Sequence, residues 1–102
     1  MTPEGEVVKA ILEYLTVRNV YAWRNNTGRR GRVTFGKVGS SDIIGILNDG
    51  RWLAIECKAD GEHPTMDQLV FLAEIAKRGG LAFVARGIED VERELAKPRK
   101  HT

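Results

Sequence analysis

The sequence predicts a small α/β domain with the element order helix, strand, strand, strand, helix, strand, helix. Three observations carry that expectation. Apolar residues recur at helical spacing in three separate stretches, the first two opened by a capping signal. Two runs, Ser41 to Leu47 and Trp52 to Lys58, are apolar on both faces and flank a turn signal, as central strands of a covered sheet would be. The chain has 102 residues, 42% hydrophobic and 29% charged, which is the size and balance of one globular domain. That domain is expected over residues 1–97, with a flexible tail over 98–102.

The first helix begins at Thr2-Pro3, an N-cap followed by Pro in the first turn, with Glu4 and Glu6 at the positive end of the helix dipole. Val7, Val8, Ile11, Leu12 and Leu15 then repeat on one face. At roughly 100° per residue Glu4 falls inside that apolar stripe and Glu6 on the solvated side. Val20-Tyr21-Ala22-Trp23 reads as a short strand. Asn25 to Gly39 is polar, glycine-rich and basic, and reads as a mobile loop or ribbon with Val33-Thr34-Phe35 as a short strand inside it. The two central strands follow, joined by Asn48-Asp49-Gly50-Arg51. Thr65-Met66-Asp67-Gln68 has the capping-box pattern and opens a helix through Leu69, Leu72, Ile75 and Ala76, which Gly79-Gly80 ends. Leu81 to Ala85 is a buried strand, and Ile88, Val91 and Leu95 mark a last amphipathic helix ended by Pro98.

Charge is distributed unevenly. The net charge is +2, yet Arg18 to Lys37 holds six bases (Arg18, Arg24, Arg29, Arg30, Arg32, Lys37) and no acid, leaving ten bases against fourteen acids elsewhere. Bases gathered in this way suit a polyanion partner, and Arg24, Arg29, Arg30, Arg32 and Lys37 are the candidate nucleic-acid contacts. The interleaved Tyr21, Trp23 and Phe35 are expected in the core rather than as base-stacking platforms. Cys57 is the only cysteine, so neither an internal disulfide nor a paired-Cys zinc site is available. No apolar run approaches the ~20 residues that span a bilayer, and no basic-then-apolar leader opens the chain, so an intracellular, cytoplasmic protein is expected rather than a membrane or secreted one. His63 and His101 form no ligand-spaced pair, and the glycines of Gly28-Arg29-Arg30-Gly31-Arg32 lack the GK[ST] element of a phosphate loop.

Chemistry concentrates at one end of the central strands, where Asp42, Glu56 and Lys58 interrupt apolar runs. Strand alternation points Glu56 and Lys58 the same way. The hairpin register decides whether Asp42 joins them. A three-residue loop, Asn48-Asp49-Gly50 with Gly50 left-handed, pairs Leu47 with Arg51 and therefore Asp42 with Glu56. A two-residue Asp49-Gly50 turn sends Asp42 to the other face instead. In the first register two carboxylates stand side by side and repel unless neutralised. Mg²⁺ suits such a pair, because it takes oxygen ligands from one or two carboxylates, with waters and a phosphate completing the octahedron. Lys58 would then orient the attacking water or offset charge on the transition state, and Glu4 could reach the same cluster.

Gly39-Ser40-Ser41-Asp42-Ile43-Ile44-Gly45 followed by Leu53-Ala54-Ile55-Glu56-Cys57-Lys58 resembles the active-site signature of the PD-(D/E)xK nuclease superfamily. The wider pattern is similar to its VRR-NUC family, in the short stand-alone form. Supporting matches are Glu4, Trp23-Arg24-Asn25-Asn26-Thr27-Gly28, Thr65 with Gln68, and Gly79-Gly80-Leu81-Ala82-Phe83-Val84. The likeness runs from about residue 4 to 96, and one departure is Ser41, where the superfamily often has Pro. The resemblance implies a restriction-endonuclease-like core, a small mixed sheet flanked by helices. It implies a Mg²⁺- or Mn²⁺-dependent endonuclease acting on DNA, with branched structures such as Holliday junctions as substrates in replication, repair or recombination, and a homodimer as the working form. Asp42 and Glu56 would be metal ligands, joined by the backbone carbonyl of Cys57. Lys58 would be catalytic, and Glu4 and Gln68 would line the site. Gln68 has an equally good account as the reciprocal partner in the Thr65 box. The alternatives are a less selective flap or end nuclease, and a DNA-binding module that does not cut.

Overall fold

A computed structural model describes residues 1–26, 28–30 and 33–98, with only the backbone described at 28–30 and 33–35. The elements are α1 (Pro3–Val17), β1 (Tyr21–Arg24), β2 (Gly28–Arg30), β3 (Val33–Phe35), β4 (Ile43–Ile46), β5 (Trp52–Cys57), α2 (Met66–Lys77), β6 (Leu81–Ala85) and α3 (Ile88–Ala96). Four strands form one mixed sheet in the order β1-β4-β5-β6, antiparallel except for the parallel β5–β6 pair, and β2 pairs with β3 in a separate ribbon. This is the small mixed sheet flanked by helices that the sequence implied. The ribbon strand β2 was not foreseen, because Gly28-Arg29-Arg30 has none of the β-branched or aromatic residues that mark a strand. Residues 99–102 of the expected tail lie outside the described residues.

Each helix forms where its caps place it. The Thr2 Oγ1 accepts the Gly5 N–H at 3.0 Å at the start of α1. At α2 the box is complete: Thr65 Oγ1 accepts the Gln68 N–H at 3.2 Å and Gln68 Oε1 accepts the Thr65 N–H at 2.8 Å. Such caps contribute on the order of 1 kcal/mol each.

Alternation along the strands divides the core in two. Ile43, Leu53, Ile55, Cys57, Phe83 and Ala85 face α1 and α3, where they meet Val8, Ile11, Leu15 and Val91. Ile44 and Ala54 face α2, where Leu72, Phe71 and Ile75 cover them with Ala82 and Val84. Full burial of a side chain such as Ile55 or Leu53 stabilises by roughly 1.5–3 kcal/mol, so the sheet is held from both sides. The β1–β4 approach is close enough to exclude a side chain at position 45, since a Cβ on Gly45 would lie 2.7 Å from the Tyr21 carbonyl oxygen.

The β4–β5 register is the one that a three-residue loop requires. Ile46 pairs with Trp52 and Ile43 with Ile55. The Leu47 N–H donates to the Arg51 carbonyl at 2.8 Å, and Gly50, at φ 90°, closes the loop by donating to the Leu47 carbonyl. That left-handed position is where a glycine costs least. Continuing the ladder by one pair sets Asp42 opposite Glu56.

Tyr21 and Trp23 correct the expectation of aromatic core residues, for they are 72% and 41% exposed. The physical reason lies in the sheet. β1 is an edge strand, and α2 packs on β5 and β6, so that among the described residues no helix lies over that face of β1. The Phe35 side chain lies outside the described residues.

Candidate metal site at the end of the sheet

Backbone pairing assembles the site from three elements. Asp42 enters β4 beside β1, and the Asn25 N–H donates to its carbonyl at 2.7 Å. The Asn25 side chain also donates to Ser40 Oγ at 2.8 Å and to the Ser41 carbonyl at 3.0 Å. Ser41, standing where the resemblance expects Pro, is buried, and its hydroxyl donates to the Ile43 carbonyl at 2.9 Å. Three successive residues are thus fixed before the strand begins. Asn25 appeared in the sequence only as part of a motif, and its bracing role shows once β1 and β4 are paired.

Across the ladder, the Cys57 N–H donates to Asp42 Oδ2 at 2.9 Å, which locks this carboxylate against β5. Glu56 is only 1% exposed, and among the described residues neither of its carboxylate oxygens has a hydrogen-bond partner. Lys58 Nζ stands 3.5 Å from Glu56 Oε2, an ion-pair distance, and 3.8 Å from Glu4 Oε1. Glu4 comes from the first turn of α1, on the opposite face of the sheet, and reaches round its end. Carboxylate oxygens of Glu4, Asp42 and Glu56 lie within 4.8 Å of one another, a three-acid cluster able to hold a metal ion. The structure therefore brings together Glu4, Asp42, Glu56 and Lys58.

Electrostatics mark the cluster as incomplete. Burial, then the neighbouring Asp42 carboxylate, pushes the Glu56 carboxyl from 4.5 up to about 8, against the opposing pull of Lys58. Burial also raises the Glu4 carboxyl, with Lys58 opposing. A buried carboxylate with no hydrogen bond costs several kcal/mol unless protonated or paired. One ammonium against three carboxylates leaves charge for a divalent cation to neutralise, and an all-oxygen donor set suits a hard one. The residues fit a divalent ion of the Mg²⁺ class.

The remaining candidates are placed differently. The Cys57 thiol is fully buried and pushed up by burial, so its side chain is packing and its part in the site is backbone. Gln68 commits its carbonyl oxygen to the α2 cap. Arg24 and Lys37 are exposed at the end of β1 and after the ribbon. Arg29 and Arg30 are on β2, where only the backbone is described, and Arg32 lies outside the described residues. Among the described residues no helix is long and apolar enough to cross a membrane.

No family model and no curated protein matches the sequence. The structure is similar to a solved VRR_NUC domain, with a TM-score of 0.72 and 24% sequence identity over 93% of this chain and 96% of that one. The chain has the VRR_NUC fold, as the resemblance of its Asp42…Glu56-Cys57-Lys58 signature implied.

Proposed function

We propose that this chain, with the VRR_NUC fold and three converging carboxylates, is a metal-dependent endodeoxyribonuclease that hydrolyses phosphodiester bonds. The observation that carries the reading is Glu56, a fully buried carboxylate without a hydrogen bond, set by register against Asp42 and met by Glu4. Asp42 and Glu56 would hold a Mg²⁺ or Mn²⁺ ion together with the Cys57 backbone carbonyl. When bound, the ion would supply Lewis-acid polarisation of a phosphate oxygen and neutralise the acids. The chain's own groups do the rest. Lys58 keeps an ammonium beside the reacting phosphate, where it positions water and offsets the charge that builds up in the transition state. The hydrogen bond from Cys57 N–H holds Asp42 in one rotamer, and Glu4 sets the Lys58 ammonium from the other side. Gln68 acts through α2, ordering the helix start against which the loop before Asp42 rests.

Branched DNA such as a four-way junction, cut in replication, repair or recombination, is the substrate favoured by the small size of the domain. A short footprint suits a shape read by two copies, and two-fold symmetry supplies two cuts. Arg24, Arg29, Arg30, Arg32 and Lys37 would contact phosphates. The test is cleavage of linear duplex, flap, single strand and immobile junction with Mg²⁺, Mn²⁺ or EDTA, by wild type and Glu56→Gln in parallel. Metal-dependent cutting that the variant lacks supports the nuclease, and symmetric nicks confined to the junction support the paired form. No cutting of any DNA would overturn the reading.

A further inference from the structure

The sheet face that carries the acids continues across β1, where no described helix covers it. Register defines three rows on this face. Glu56 and Asp42 form the first, with Asn25 beside them through its N–H bond to the Asp42 carbonyl. Ala54, Ile44 and Trp23 form the second, and Trp52, Ile46 and Tyr21 the third. Successive rows are two residues apart, about 7 Å at the rise of a strand. α2 packs on β6 and on the later part of β5 but leaves Trp52, at the start of β5, open with Tyr21, Trp23 and Ile46, between 38% and 72% exposed.

We infer that this half-face is a stacking platform for an unpaired DNA strand leading into the acid row. It rests on the nuclease reading above for the identity of the acid row, and adds which part of the substrate the protein reads. Four features support it. The exposed side chains include three aromatics, and a base can stack on any aromatic face whatever its sequence. The Tyr21 and Trp23 rings meet edge to face with centroids 5.5 Å apart, a contact that favours this arrangement of the pair. The row spacing suits one base per row, the way sheet-based single-strand binders display aromatics on alternate residues. Finally, β1 lies inside the Arg18–Lys37 segment, whose six bases and no acids complement a phosphate backbone.

A second copy seated on Tyr21, Trp23, Ile46 and Trp52 is the competing occupant, and sedimentation tells it from a DNA strand.

The test is anisotropy of fluorescein-labelled oligo(dT) and of a labelled blunt hairpin duplex in EDTA, with the full chain, alongside sedimentation. Wild type is expected to bind oligo(dT). Tyr21→Ala with Trp23→Ala is expected to lose about tenfold or more of that affinity while duplex affinity changes less than about threefold. Trp23→Phe, which keeps a ring and the fold, is expected to retain most of it. Failure of wild type to bind oligo(dT), or equal loss of both probes, would overturn the platform. A fall in sedimenting mass with oligo(dT) affinity unchanged would also overturn it, and assign the face to a second copy. Because no cutting is involved, oligo(dT) binding by a protein that cleaves nothing would sink the nuclease alone, and normal cleavage with the double variant still binding would sink the platform alone.

Discussion

Two carboxylates at different corners of this domain have opposite fates. Asp90, in the first turn of α3, is fully partnered. Its Oδ2 accepts the Arg86 N–H at 2.8 Å and its Oδ1 accepts from Arg93 at 2.7 Å. Gly87, the N-cap, has no side chain to offer, so Asp90 reaches back across the helix start in its place. The backbone N–H, then Arg93, hold the Asp90 carboxyl below its ordinary value. Glu56 is more deeply buried, has only the Lys58 ammonium at 3.5 Å as a counter-charge among the described residues, and is raised to about 8. The fold evidently can satisfy a carboxylate. The contrast teaches that an acid given both a backbone N–H and a guanidinium supports the structure, whereas Glu56, buried beside Asp42 and Glu4 with only the Lys58 ammonium at 3.5 Å, is the acid that a bound cation would relieve.

The largest expected effect comes from removing charge at the Glu56 corner. Glu56→Gln or Asp42→Asn should lower metal-dependent cleavage by about 1000-fold or more, several kcal/mol of lost metal-assisted stabilisation at about 1.4 kcal/mol per decade. The same Glu56→Gln should raise the metal-free melting temperature at pH 8, because the buried charge is gone. Single-turnover cleavage and thermal melts in EDTA read the two effects. Wild-type cutting by Glu56→Gln would collapse the contrast.

Next in size is the response to pH. The folded Glu56 carboxyl, at about 8, lies above its ordinary 4.5, so the folded protein holds a proton that the unfolded chain releases. Metal-free stability from this group is therefore complete below about pH 4.5 and lost as pH rises towards 8. Asp90 has the opposite sign: its stabilisation is present above its ordinary 3.8 and lost as pH falls below it. Melting between pH 5 and 8.5 in EDTA should fall by at least about 5 °C for wild type and stay nearly flat for Glu56→Gln. Millimolar Mg²⁺ should restore wild type at pH 8 and leave the variant unmoved. A flat wild-type profile would mean that Glu56 finds a partner in solution.

A smaller effect is expected at the partnered corner. Asp90→Ala removes a helix-start hydrogen bond and a half-exposed ion pair, which together stabilise by about 1–2 kcal/mol. Urea unfolding should register that loss, with cleavage at 25 °C retained. Cleavage lost with Asp90→Ala in a folded protein would show that α3 communicates with the acid row and spoil the division of labour.

Much of this contrast was legible in the sequence. Asn48-Asp49-Gly50 left two registers open, a three-residue loop and a two-residue turn, and the structure takes the three-residue loop, which sets Asp42 against Glu56. Glu4 inside an apolar helical stripe was a second sign, since a charge there needs a partner at the helix end. The cover of the sheet was not legible. Strand alternation says that two faces exist, but which half of a face a helix crosses depends on how α2 lies over β5 and β6, and no local pattern encodes it. Tyr21 and Trp23 consequently looked like core residues. Asp90 also escaped notice, because an Asp in the first turn of a helix is ordinary until its partners are seen.

The smallest effect separates two accounts of Gln68. Its sequence position fits both a capping box and a site-lining role, and the structure commits its Oε1 to the Thr65 N–H. Glu is equally able to close the box, so Gln68→Glu should leave stability within about 0.5 kcal/mol of wild type, whereas Gln68→Ala should lose about 0.5–1 kcal/mol. If Gln68 works only by ordering α2, the Glu variant should cut DNA within about threefold of wild type and the Ala variant should improve when the temperature is lowered. The start of α2 matters because Gly39, three residues before Asp42, packs so closely on Asp67 that a Cβ there would lie 2.8 Å from its carbonyl oxygen. A frayed cap would loosen the loop feeding the acid row without touching the acids. A large loss of cleavage in Gln68→Glu at unchanged stability would instead assign the side-chain amide to the substrate, and move Gln68 from the scaffold to the chemistry.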